Sequence, residues 1–73
     1  MIVSKSPSSI VALKDKAEEL RRIARDLGFK FTESAVPGEP GSIRFTFHLT
    51  ESETDTLIRT VPRDFYAHRA YLR

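Results

Sequence analysis

The chain has 73 residues, with 12 basic side chains, 10 acidic side chains and no cysteine. This length predicts a single domain, residues 1–73, because either half alone would bury too little apolar surface to offset the entropy of ordering. The lack of cysteine excludes disulfides, thiol nucleophiles and cysteine-based metal sites, and a net charge of +2 does not by itself indicate a nucleic-acid binder.

The chain begins with MIVSKSPSS, which has no basic segment followed by a long apolar stretch. No later apolar run is long enough to cross a bilayer. We therefore expect a soluble, cytoplasmic protein without a membrane partner. Residues 1–3 are apolar, and the sequence leaves open whether they form a short strand.

An amphipathic helix is predicted from Ser6 to Leu27. Ser6 with Pro7 at the first helical position, or Ser8 one step later, has the composition of a helix start. Gly28 follows as the expected left-handed stop. Apolar residues recur at the three- and four-residue spacing of a buried helical stripe, namely Ile10, Leu13, Ala17, Leu20, Ile23, Ala24 and Leu27.

A β-hairpin is predicted next, because residues 29–36 and 42–49 alternate between apolar and polar side chains. The connection at residues 37–41, PGEPG, is longer than a tight turn and is stiffened by two prolines. The polar side of the hairpin is predicted to be solvated or covered by a helix, and its strand edges to be available for pairing. That side carries Lys30, Thr32, Arg44, Thr46 and His48.

A second helix is predicted to begin near residue 51, because Thr50 and Glu53 have the spacing of a capping box. Pro62 should kink this helix, or break it and open a fresh helix that runs to about Leu72. The predicted core residues on these segments are Leu57, Ile58, Val61, Phe65, His68 and Leu72. The fold class is α+β with the order (β)αββα: a hairpin or three-stranded antiparallel sheet against an N-terminal helix and a kinked C-terminal helix.

If the last helix continues nearly straight past Pro62, a row of arginines and one tyrosine shares its exposed side. Arginine and tyrosine are enriched at the energetic centres of protein interfaces. The alternative is a solvated face, because acidic residues at the start of a helix and basic residues at its end complement the helix dipole. The residues predicted to bind a partner are Arg59, Arg63, Tyr66, Arg69 and Arg73.

No catalytic or metal-binding motif is recognisable in the sequence. His48 and His68 lie on different elements, and neither has a neighbouring carboxylate at a spacing typical of a general base or a metal site. Glycine-rich phosphate loops and nucleophile motifs are also missing. We therefore predict a protein that is not an enzyme and has no cofactor and no metal.

The function predicted from these observations is binding without catalysis, by a small regulator or inhibitor that occludes a surface of a larger protein or protein assembly. Small phage and mobile-element proteins that block host defence, including anti-CRISPR proteins, have this profile. One alternative is a nucleic-acid-binding protein that combines the four arginines of that row with Arg21, Arg22 and Arg25 of the first helix. A second alternative is a structural homodimer whose edge strands pair.

Overall fold

The computed structural model describes residues 5–67. Three strands and two α-helices follow one another in the order β1 (Ser6–Leu13), α1 (Ala17–Leu27), β2 (Phe31–Ala35), β3 (Ser42–Leu49) and α2 (Glu51–Thr60). Short 3₁₀ turns lie at Lys14–Lys16 and Arg63–Phe65. The strands form one antiparallel sheet in the order β1-β3-β2. The α+β class predicted from the sequence is confirmed.

The first predicted helix was wrong over its N-terminal half, because Ser6–Leu13 is a strand. This strand pairs with β3 along its whole length, from Ser6 opposite Leu49 to Leu13 opposite Ser42. The segment contains serines, a proline and the β-branched pair Ile10 and Val11, which suit a strand better than a helix. A short apolar run does not distinguish the two structures by periodicity, and pairing with β3 decides between them. Residues 1–3 lie outside the described part of the chain.

The remaining half of the first helix forms as predicted. In α1, Ala17, Leu20 and Ala24 are buried at helical spacing. Gly28 ends the helix in the left-handed conformation, with φ 77°, and its N–H donates to the carbonyls of Ala24 and Arg25. Only a residue without a Cβ adopts this conformation readily, so the helix stops at the position that the sequence marks.

The predicted hairpin is formed by β2 and β3, which pair from Phe31 opposite Phe47 to Ala35 opposite Ile43. Phe45 and Phe47 on β3 are fully buried. In the connection, which contains Gly38 at φ 78°, the Glu39 N–H donates to Val36 O and the Ser42 N–H to Glu39 O. The central strand carries the two largest fully buried side chains, Phe45 and Phe47.

Both helices pack on the same face of the sheet. Arg21 of α1 bonds to Glu33 of β2, and the hydroxyls of Ser8 on β1 and Thr54 on α2 lie 3.3 Å apart. The main core cluster combines side chains of both helices and of this sheet face, including Ile10, Ala12, Leu20, Ala24, Phe45, Phe47, Leu49, Leu57, Val61 and Phe65. Among the described residues, no helix covers the opposite sheet face.

Helix α2 begins with the predicted capping box. The Glu53 N–H donates to the Thr50 hydroxyl, and the Thr50 N–H donates to the Glu53 carboxylate. The helix ends at Thr60, because Val61 and Pro62 have extended backbone with ψ 121° and 145°. The sequence predicts either a kink or a break at Pro62, and the break is observed. A single 3₁₀ turn, Arg63–Phe65, follows it.

Candidate functional site

The predicted row of arginines and tyrosine is not a continuous helix face. Arg59 lies in the last turn of α2 and Arg63 in the following 3₁₀ turn, and both side chains are exposed. Arg69 and Arg73 lie outside the described residues. The predicted exposure of Tyr66 is wrong, because its side chain is 7% exposed. The break at Pro62 changes the direction of the chain, so helical phase does not carry over from α2.

Tyr66 is buried because the chain after the break runs back along β1. It forms an antiparallel bridge with Ala12, and the N–H of the next residue, Ala67, donates to Val11 O at 2.8 Å. The Tyr66 hydroxyl is buried and has no hydrogen-bond partner among residues 5–67. Burial raises the pKa of this hydroxyl. Tyr66 therefore belongs to the core and to the edge of the sheet, and it does not lie on an exposed helix face.

The three arginines of α1 differ in their surroundings. Arg21 forms a two-pronged ion pair with Glu33, in which its Nε donates to Oε2 and its Nη2 to Oε1, each at 2.7 Å. This hydrogen bonding raises the pKa of Arg21 and lowers the pKa of Glu33. Arg22 and Arg25 are exposed and form no ion pair within the described chain. Of the three α1 arginines in the nucleic-acid-binding alternative, two therefore form no ion pair with a described residue.

The outer edge of β1 is blocked at both ends. Pro7, near its start, has no backbone N–H to offer to another strand. Near its end, the bridge at Ala12 and the hydrogen bond from Ala67 cover the backbone. A proline and a covering segment are two of the devices by which proteins prevent unwanted strand pairing.

The outer edge of β2, called here the β2 edge, consists of Phe31–Ala35 and has neither device. Its register with β3 has no bulge, it contains no proline, and residues 32–35 are exposed. Within the described chain, no backbone hydrogen bond reaches its outer side. Its one charged side chain, Glu33, lies on the helix-covered face and is bound to Arg21. The β2 edge thus presents an uncharged row of free backbone groups.

The sheet face opposite the helices is mostly small and polar. Ser9, Thr46 and Thr32 form one row across the three strands, and Val11, Arg44 and Ser34 form the next. Of these six side chains Val11 alone is buried, at 1% exposure. The aromatic rings of β3 point the other way, so stacking of bases on this face is not supported. Ser9, Thr32 and Ser34 are exposed on this face, whereas Arg44 and Thr46 are half-buried.

A cleft, called here the end cleft, lies where β3 extends beyond β2. Because β2 begins opposite Phe47, His48 and Leu49 have no partner on that side of β3. The cleft has a volume of about 640 Å³, and Phe29 and Phe31 are among its lining residues. Its basic residues are Lys5, Lys30 and His48. No local sequence pattern indicates this cleft, because it depends on the unequal lengths of two paired strands.

No group of three or more His, Asp or Glu side chains in residues 5–67 is arranged to hold a metal ion. His48 is exposed on the outer sheet face, and His68 lies outside the described residues. In that same part of the chain, no helix is long and apolar enough to cross a membrane.

Comparison of the chain with protein-family models, with curated proteins and with solved structures gives no match.

Proposed function

We propose that this domain is a non-catalytic protein-binding module, a small regulator or inhibitor that occludes a surface of a larger protein assembly. The observation that carries the proposal is the open β2 edge. An extended segment of the partner adds to this edge as a fourth strand, and main-chain hydrogen bonds supply the affinity. The lack of cysteine favours the reducing cytoplasm as the place of action.

The side chains around the β2 edge suit this mode of binding. Thr32 and Ser34 are small and polar on the outer face, so they leave room for the alternate side chains of an added strand. Glu33 is held against α1 by Arg21 and therefore does not repel an approaching strand. A protein that had evolved to stay alone would place a free charge or a proline here.

One added strand is small beside a standard interface, which buries about 1,600 Å² in total. The outer sheet face extends the contact, because no described helix covers it. Arg44 on this face is half-buried in the central strand, where it can donate hydrogen bonds to a partner. The proposed docking surface is therefore the β2 edge together with the adjoining β3 side chains Thr46 and Arg44, and it does not extend to Ser9 on β1.

The test compares two variants that make the same change on two different strands. Ser34→Lys puts a charge on the β2 edge, whereas Ser9→Lys puts it on β1, and both serines are exposed on the same sheet face. The tagged domain is incubated with lysate of its native host, with and without nuclease. We expect a stoichiometric protein that resists nuclease and binds wild type and Ser9→Lys alike. Ser34→Lys should weaken its binding by about tenfold, or about 1.4 kcal/mol.

Three outcomes would contradict the proposal. Equal binding of the partner to both variants would place the interface elsewhere, with the exposed Arg59 and Arg63 as the next candidates. Recovery of nucleic acid, with proteins lost after nuclease, would favour the basic alternative that uses Arg22 and Arg25. A two-chain mass in solution that Ser34→Lys converts to one chain would show that a second copy occupies the β2 edge.

A further inference from the structure

The end cleft combines an aromatic wall with a basic rim. The Phe31 ring is held in place by packing against the rings of Phe45 and Phe47, with centroid distances of 5.4 and 5.7 Å. Phe29 is also half-buried against the core, so both rings of the wall are anchored on one side and partly open on the other. A fixed, partly exposed ring offers a planar ligand a surface that loses little entropy on binding.

The rim of the end cleft has more positive than negative charge. Lys30 is exposed and forms no ion pair with any described residue. Lys5 and His48 add a second ammonium group and an imidazole, whereas Glu53 is the one acidic lining residue. The carboxylate of Glu53 is already engaged, because it accepts the Thr50 N–H at 2.9 Å. This hydrogen bond, together with the nearby charge of Lys5, lowers the pKa of Glu53.

We propose that the end cleft is a binding site for a small organic anion with an aromatic or other flat apolar body. The flat body lies against Phe29 and Phe31, and the anionic group contacts the ammonium group of Lys30, with Lys5 and His48 as further donors. The volume of about 640 Å³ is suited to a ligand of this size. Carboxylate and phosphate both provide the required charge and hydrogen-bond acceptors.

This inference does not rest on the proposed strand addition, although Phe31 and Thr32 belong both to the β2 edge and to the lining of the end cleft. Ser34, the residue changed to block the β2 edge, does not line the end cleft. A domain that binds the anion and fails to bind a partner protein, or the reverse, would therefore separate the two proposals.

The test is a titration of the ¹⁵N-labelled domain followed by amide chemical shifts. The probes are two aromatic anions, phenyl phosphate and phenylacetate. Benzyl alcohol is the uncharged aromatic control, inorganic phosphate is the anion without a ring, and phenethylamine is the aromatic compound with the opposite charge. We expect the two aromatic anions to bind several times more tightly than any other probe, with shifts confined to residues 28–32, 46–49 and 53. The tighter of the two identifies phosphate or carboxylate as the preferred group.

Three variants, one of them a control, test which residues bind the anion. Lys30→Glu should weaken binding of the aromatic anions by at least about fivefold, because it replaces an attractive charge by a repulsive one at the rim. Arg22→Glu makes the same charge change on α1, away from the cleft, and should have little effect. Phe29→Leu keeps an apolar side chain but removes a ring, and should weaken both aromatic anions while leaving inorganic phosphate unchanged.

Several results would overturn the proposal. Benzyl alcohol or phenethylamine binding as tightly as the anions would show that charge does not select the ligand. Equal losses in Lys30→Glu and Arg22→Glu would show a general electrostatic effect without a site. Shifts spread over the whole sheet, or no shifts at millimolar probe concentration, would show that the end cleft does not bind this class of compound.

Discussion

The two edges of the sheet differ in whether their backbone is protected from pairing with another strand. At β1, a proline and the returning segment around Tyr66 block the backbone. At β2, no segment within residues 5–67 covers the backbone of residues 31–35, and the one charge is bound to α1. The same small domain therefore contains one protected edge and one unprotected edge. Because a proline and a returning segment protect β1, a small sheet in this domain does not have to leave an edge open.

The protection of β1 comes from a distant part of the sequence. The segment that covers it follows α2, and it reaches β1 because Val61 and Pro62 turn the chain out of the helix. Tyr66 contributes both its backbone, which bridges to Ala12, and its ring, which is buried in the core. Loss of the Tyr66 ring should therefore lower the free energy of unfolding and also weaken the protection of the β1 edge.

The largest effect is expected for Tyr66→Ala. Truncation of a buried aromatic ring costs about 3–5 kcal/mol of unfolding free energy, because it leaves a cavity in addition to losing apolar burial. The variant should unfold at a much lower urea concentration. Its Ala67 amide, which is bonded to Val11 O in the wild-type domain, should exchange faster with solvent.

Tyr66→Phe is the matched control for this change. The Tyr66 hydroxyl is buried without a partner, so its removal loses no hydrogen bond and relieves the desolvation of a polar group. We expect a urea midpoint equal to or above that of the wild-type domain. A clear loss of stability in Tyr66→Phe would mean that the hydroxyl has a partner after all.

A moderate effect is expected for Thr50→Ala, which removes the cap of α2. Loss of a capping hydroxyl costs about 1 kcal/mol. The urea midpoint should fall, while the order of amide exchange at the two sheet edges should stay the same. Thr56→Ala is the control, because its exposed hydroxyl bonds only to the Ser52 carbonyl within the same helix. Equal losses in the two variants would contradict the role of the cap.

The smallest effect is expected at the ion pair beside the β2 edge. The pKa of Glu33 is lowered in the folded domain, chiefly by its hydrogen bond with Arg21. The stabilisation is therefore complete above the ordinary glutamate value of 4.5 and is lost as the pH falls through the lowered pKa. Urea midpoints measured between about pH 6 and pH 3 should decrease, and the decrease should be less steep in Glu33→Gln.

Glu53 provides the internal comparison for this pH dependence. Its pKa is also lowered, first by the Thr50 N–H, so part of the slope should remain in Glu33→Gln. The double variant with Glu53→Gln should show a smaller slope than Glu33→Gln alone over the same range. An unchanged slope in Glu33→Gln would show that its pair with Arg21 does not contribute to stability in solution. Added salt should reduce its effect, because the pair is exposed.

The parts of the fold that the sequence predicted are those with local signals. The left-handed Gly28, the capping box at Thr50 and the alternation through Phe45 and Phe47 each depend on residues close together in the chain. These signals fixed the end of α1, the start of α2 and the dry face of the hairpin. Local chemistry was sufficient at each of these positions.

The errors fall where distant contacts decide. Residues 6–13 have an apolar spacing that fits a helix, but they pair with β3 from the other half of the chain. Tyr66 was placed on an exposed helix face because helical phase was extended past Pro62. The end cleft could not be predicted, since it arises from the mismatch between five residues in β2 and eight in β3. The candidate site depends on the order and lengths of the strands in the sheet, and a local sequence pattern does not specify these.

The sheet order has a consequence for the way the chain folds. Strand β3 can pair with β2 after closing only a short connection, whereas pairing with β1 joins Ser6 to Leu49 across most of the sequence. Loop closure of that length is slow, so we expect β1 to join last. During synthesis on the ribosome β1 emerges first and has to wait for β3. Until then the side chains of Ile10 and Val11 are exposed to solvent, and they are accessible to a chaperone that binds short apolar segments.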